Sequence, residues 1–126
     1  MPKNNFPTRG PIIIGTNDIK RSKEFYIAVF GITIEREDPA YISAHLTDGT
    51  HIELEADSPE RFPNWVKHNV GTYKNSEFFV PDIQTFIELV LKHGGRVVVP
   101  PVARSWGGFG AEITDPDGNI MPISQK

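Results

Sequence analysis

The sequence predicts an α+β fold in which one βαβββ unit occurs twice. An Asp-Ile pair followed at a fixed interval by glycine appears at Asp18-Ile19 to Gly31 and again at Asp82-Ile83 to Gly95, an offset of 64 residues. Apolar residues recur every three or four positions inside both segments. Each unit also carries a hairpin-type turn, Thr47-Asp48-Gly49-Thr50 and Pro116-Asp117-Gly118-Asn119, in which glycine supplies a positive φ.

The elements follow in order. Ile12 to Thr16 is a short apolar strand. Asp18 then caps a helix whose buried face is Ile19, Ser22, Phe25, Tyr26, Val29 and Phe30, and Gly31 stops it. The β-rich run Ile32 to Glu35 comes next, and the first turn joins Tyr41–Leu46 to His51–Ala56. Glu77 to Val80 opens the second unit, and Asp82 caps a helix with Ile83, Phe86, Ile87 and Val90 on its apolar face. Strands at Arg96–Val99, Ala111–Thr114 and Ile120–Ser124 complete it. Unit one thus spans about 11–56 and unit two about 75–125, in a single domain covering 1–126. Residues 57–74 join them. Ser58-Pro59-Glu60 is a helix start, and Phe62, Trp65 and Val66 give a short apolar face for a linker helix packed outside. The stretch Pro100 to Gly110, with Trp106-Gly107-Gly108-Phe109, reads as an irregular pocket loop or lid.

Composition narrows the function. The chain has 126 residues, a net charge of −3, 38% hydrophobic residues and no cysteine. A core of normal size is expected, and disulfides, thiolate nucleophiles and Cys-ligated metals are excluded. Nucleic acid is a poor partner for a mildly acidic chain without a Lys/Arg cluster. No apolar run approaches the ~20 residues that cross a bilayer, and the chain start has no signal-peptide core, so no membrane partner and a cytoplasmic location are expected.

The paired Asp-Ile helix starts, Phe25-Tyr26 in the first helix and Asp115-Pro116-Asp117-Gly118-Asn119 before the last strand together resemble the vicinal oxygen chelate superfamily. That group includes glyoxalase I, extradiol dioxygenases and bleomycin-resistance proteins, and the resemblance covers about 11–125. It implies a curved mixed sheet with a concave pocket, a homodimer and a small organic ligand. It also implies metal ligands seven residues before each helix-opening Asp and four after each turn glycine. Those positions are Pro11, Asn75, Glu53 and Pro122, and only Glu53 is a normal divalent-metal ligand. The expectation is therefore no bound cofactor, with one divalent metal as the alternative.

Strand alternation places Glu53 on one face with His51 and Glu55, and Tyr41 with Ser43 and His45, while Ile52, Leu54 and Ala56 face the helices. Glu77, Phe79, Ile120 and Pro122 join the pocket from the second unit. Tyr41, His51, Glu53, Phe79, Trp106 and Phe109 are the candidate ligand-binding residues. Aromatic surface beside carboxylates suits a flat or cationic organic molecule. Glu53 is the candidate catalytic base, with His51 titrating beside it. The alternative is a displaced metal site of His45, His51 and Glu53 serving a metal-dependent lyase, isomerase or dioxygenase. His93, His68, Arg9, Lys74 and Arg104 read as ordinary surface groups.

Overall fold

A computed structural model describes residues 5–6, 8–56 and 77–125. The expected linker helix, with Trp65 and His68, lies outside the described residues, as do Tyr73, Lys74 and Asn75.

The first unit forms β1 (Ile12–Thr16), α1 (Ile19–Phe25) continued by one π-helical turn (Tyr26–Phe30), β2 (Thr33–Asp38), β3 (Tyr41–His45) and β4 (His51–Ala56). The second forms β5 (Phe78–Val80), α2 (Ile83–Lys92), β6 (Arg96–Ala103), β7 (Phe109–Thr114) and β8 (Ile120–Gln125). Each unit makes a four-stranded sheet of the same topology, β1-β4-β3-β2 and β5-β8-β7-β6. In both, the first strand pairs in parallel with the last and the other pairs are antiparallel. The doubled βαβββ architecture is as the sequence predicts.

Both helices begin as expected. The Asp18 carboxylate accepts from the Arg21 amide at 3.1 Å, and that of Asp82 accepts from the Thr85 amide at 3.3 Å. Gly31 ends the first helix at φ +64°, a conformation that side-chain-bearing residues avoid. The π-helical turn departs from the regular helix that the spacing predicts. In it Tyr26 and Val29 are buried and Phe30 is half-buried, while Ile27 is left exposed.

Alternation assigns the sheet faces. Ile42, Ala44, Ile52 and Leu54 are fully buried against the helices, as are Ile113 and Ile123 in the second sheet. Each large aliphatic side chain so buried contributes about 1.5–3 kcal/mol. Phe30 joins the two halves of the core: its ring lies 5.0 Å from Tyr26 in its own unit, and 5.1 and 5.7 Å from Phe78 and Phe86 in the other.

The expected irregular stretch from Pro100 to Gly110 is corrected: β6 runs through Pro100 and Pro101 to Ala103, and β7 already begins at Phe109. Proline cannot donate to a ladder, but β6 is an edge strand and its register with β7 shifts twice, at Val97/Val99 and Val99/Val102. The bulges absorb both prolines. Only Arg104 to Gly108 is left as a loop.

Candidate functional site

The face of each sheet turned away from the helices carries the chemistry. In the first sheet Ile13, Glu53 and Ser43 stand in one row across β1, β4 and β3, with Gly15, Glu55 and Tyr41 in the next. The Tyr41 hydroxyl donates to the Glu53 carboxylate at 2.7 Å, and this bond raises the tyrosine's pKa above its ordinary value. The Arg36 guanidinium lies 5.7 Å above the Tyr41 ring. Tyr41 and Glu53 are thus one unit, an aromatic plate with a carboxylate fixed at its end.

His45 and His51 face each other across the β3–β4 hairpin. Neither is paired with Glu53. Both converge on Glu35, whose Oε1 lies 2.7 Å from His45 Nδ1 and 3.6 Å from His51 Nε2. The hydrogen bond to His45 holds the Glu35 carboxyl below the usual carboxylate range. Glu35 sits where the β2–β3 register slips between Ile34 and Arg36. That bulge turns it toward the imidazoles, and simple alternation could not have found it.

In the second sheet Phe79 pairs with Ser124, and Pro122 with Glu112, on the open face. Phe79 is more than half exposed. Arg104, expected to be a solvent-facing loop residue, instead lies back over Gly110, the space a side chain at that position would occupy. Its Nη1 donates to Ser124 Oγ at 2.6 Å and lies 3.4 Å from Glu77, which also accepts from the Ser124 hydroxyl at 2.5 Å. The Trp106 ring stacks 5.6 Å from this guanidinium and is 79% exposed, so it caps the site rim and is no core anchor. Phe109 is placed differently. It shares the strand face of Ala111 and Ile113, which belongs to the helix side, and it is 42% exposed there.

On the outward face of the first sheet stand Tyr41, His51 and Glu53, and on that of the second sheet Phe79, with Trp106 over Arg104 at its rim; Phe109 lies on the opposite side of its strand. The carboxylates of the two sheets include Glu35, Glu53, Glu55, Glu77 and Glu112, set against the guanidinium groups of Arg36 and Arg104. Sequence reasoning missed Glu35 and the Arg104 clamp, because a bulge and a returning loop leave no periodic trace.

A pair of four-stranded βαβββ sheets, helices on one side and a polar, aromatic face on the other, defines the class of the protein. The sequence model of the Glyoxalase/Bleomycin resistance protein/Dioxygenase superfamily matches residues 9–121. The chain belongs to that superfamily. Solved structures share the fold. A glyoxalase-related enzyme from Fulvimarina pelagi is similar at a TM-score of 0.80 and 22% identity, over 96% of this chain and 89% of that one. A glyoxalase/bleomycin resistance protein/dioxygenase family enzyme from Burkholderia phytofirmans PsJN is similar at 0.74 and 19%, over 90% and 94%. TioX from Micromonospora sp. ML1 is similar at 0.66 and 18%, over 93% and 98%. None of the curated proteins matches the chain.

The donor set does not fit the metal that the superfamily resemblance implies. Pro122 stands on the open face opposite Glu112 with no side-chain donor, Pro11 has none either, and Asn75 is outside the described residues. The remaining position, Glu53, has one oxygen engaged by Tyr41. Among the described residues no three His, Asp or Glu side chains are grouped to hold a metal ion. Among the same residues no helix is long and apolar enough to cross a membrane.

Proposed function

We propose that the protein binds a flat, cationic organic molecule on its open face, without the superfamily's metal. The observation that carries this reading is the Tyr41–Glu53 pair, an aromatic ring ending in a fixed carboxylate. On the second sheet Phe79 and Trp106 present further exposed aromatic surface. A cation on an aromatic face gains about 0.5–2 kcal/mol, and a charge-assisted hydrogen bond to a carboxylate is roughly twice as strong as a neutral one. The surrounding excess of carboxylates draws cations toward the site and penalises anions.

Two measurements test it. A thermal-shift screen of aromatic amines and amidinium compounds, followed by calorimetry of the best hit, should give a ligand whose affinity falls about tenfold in Glu53→Gln, the loss of one charged contact. An unchanged affinity in that variant, or tighter binding of shape-matched carboxylates, overturns the reading. Metal content by plasma mass spectrometry, after equilibration with Ni²⁺, Zn²⁺, Mn²⁺ and Fe²⁺ and desalting, should lie far below one ion per chain. A value near one would instead favour a metal-dependent lyase, isomerase or dioxygenase built around Glu53.

The same reading takes the protein as a homodimer. Val98, Val99 and Val102 leave an apolar strip exposed on edge strand β6, which a second copy would cover. Light scattering at micromolar concentration should return twice the chain mass, and a monomer mass would refute the dimer.

A further inference from the structure

The two units are not equivalent where they meet. The second unit's turn closes on the first unit's β1–α1 junction. Asp117, with a side chain only 1% exposed, accepts from the Thr16 hydroxyl at 2.7 Å, the Asn17 amide at 2.9 Å and Arg21 at 2.9 Å. Asp115 behind it accepts from the Tyr26 hydroxyl at 2.7 Å.

The 64-residue offset identifies the corresponding partners at the β5–α2 junction. Thr16 becomes Val80, Asn17 becomes Pro81, Arg21 becomes Thr85 and Tyr26 becomes Val90. Aligned on Gly118 and Gly49, Asp117 becomes Asp48 and Asp115 becomes Leu46. Every donor that holds Asp117 is thus replaced by a residue that cannot reach or cannot donate: Val80 has no hydroxyl and Pro81 has no N–H. Asp48 remains exposed and accepts from its own turn, at the Thr50 amide, 2.9 Å away.

A cavity of about 490 Å³ lies where the polar latch is missing, between the β3–β4 turn and the start of α2. Its walls are side chains of the helix layer, chiefly Phe30, Leu46, Phe78, Phe86 and Leu89. Among the described residues it shares Glu77 and Phe79 with the open-face site. Its charged lining residues are Asp48, Glu77 and Asp82, and no Lys, Arg or His lines it among the described residues. An anion at the α2 N-terminus is disfavoured because the first-turn amides are already occupied: Ile83 N donates to Gln125 and Thr85 N to Asp82. Hydrogen bonds from Thr50 and Thr85 hold the Asp48 and Asp82 carboxyls below their ordinary values, so both are charged at neutral pH.

We infer that this inter-unit cavity is a second small-molecule site, taking a flat hydrocarbon that carries one ammonium group. The volume falls within the range of small-ligand pockets, ~300–1,000 Å³. The ring system lies among Phe30, Phe78 and Phe86, and the ammonium faces the Asp48–Asp82 rim.

The test is calorimetric titration with 1-naphthylmethylamine, a cation at neutral pH, beside 1-naphthylacetate, which has the same ring and opposite charge. In the Glu53→Gln background, where the open-face carboxylate is removed, the amine should bind one equivalent at the cavity, and the acetate at least tenfold more weakly. Leu46→Trp fills the cavity and should weaken the amine at least tenfold. Asp48→Lys, at an exposed turn position, leaves the core untouched and should do the same. Glu53→Gln should leave this binding unchanged, which separates the cavity from the open face. In the Glu53→Gln background, amine binding that survives both Leu46→Trp and Asp48→Lys overturns the inference, as does equal binding of the acetate. If Glu53→Gln alone abolishes binding, the cavity site falls and the open-face reading stands.

Discussion

Asp115→Ala should destabilise the fold by about 3–5 kcal/mol, a large part of the 5–15 kcal/mol typical of a domain. Asp115 is 1% exposed, and its carboxylate accepts four hydrogen bonds, from the Tyr26 hydroxyl at 2.7 Å, Asn119 Nδ2 at 2.8 Å and the amides of Asp117 and Asn119 at 2.9 Å. Alanine leaves those donors facing a void. Asp115→Asn keeps an acceptor oxygen and should cost less than half as much, as read by urea unfolding. The acid limb gives an independent signature. Burial raises the Asp115 carboxyl above its ordinary value, opposed by the bonds from Asn119 and Tyr26. A group raised on folding contributes most while protonated, and its contribution is lost as pH climbs through the raised value. The stability of the native protein relative to Asp115→Asn should therefore fall as pH rises from the ordinary carboxylate range. A difference that stays constant with pH, or grows, would contradict the assignment.

Gly95→Ala should cost about 1–3 kcal/mol, by overpacking. A β-carbon at Gly95 would press against the Thr114 carbonyl oxygen, closer than van der Waals contact allows, and stand 2.5 Å from Val90 Cγ1. Both neighbours are held, the first by the β6–β7 ladder and the second in the core, fully buried. The backbone of α2 must move off the sheet to admit a methyl group. Gly15→Ala is the control, since a β-carbon there meets nothing within 4 Å and should change stability by less than about 0.5 kcal/mol. Equal melting temperatures for the two variants would refute the close approach at Gly95.

Most of the architecture is legible in the sequence because local physics sets it. Asp18 and Asp82 announce the helix starts by offering a side-chain acceptor to orphan amides. The alternation of Tyr41–His45 and His51–Ala56 fixes which side chains face the helices, since a one-residue slip would expose Ile52 and Leu54. The site is only half legible. Alternation puts Tyr41 and Glu53 on the outward face of the first sheet and Phe79 on that of the second, but places neither Glu35 nor Arg104. A bulge changes the period of a strand, and a loop returns by an angle that no local pattern encodes.

The repeated unit, its caps and turns and the chemistry at each face depend on neighbours a few residues away, and so can be read along the chain. Long-range packing brings both imidazoles to Glu35, lays Arg104 over Gly110 with Trp106 upon it, and lets Asp117 latch one junction while Asp48 leaves the other open. These outcomes depend on groups about 10 to 100 residues apart along the chain, whose distance is set by how two sheets pack around Phe30 and by no property of any single segment.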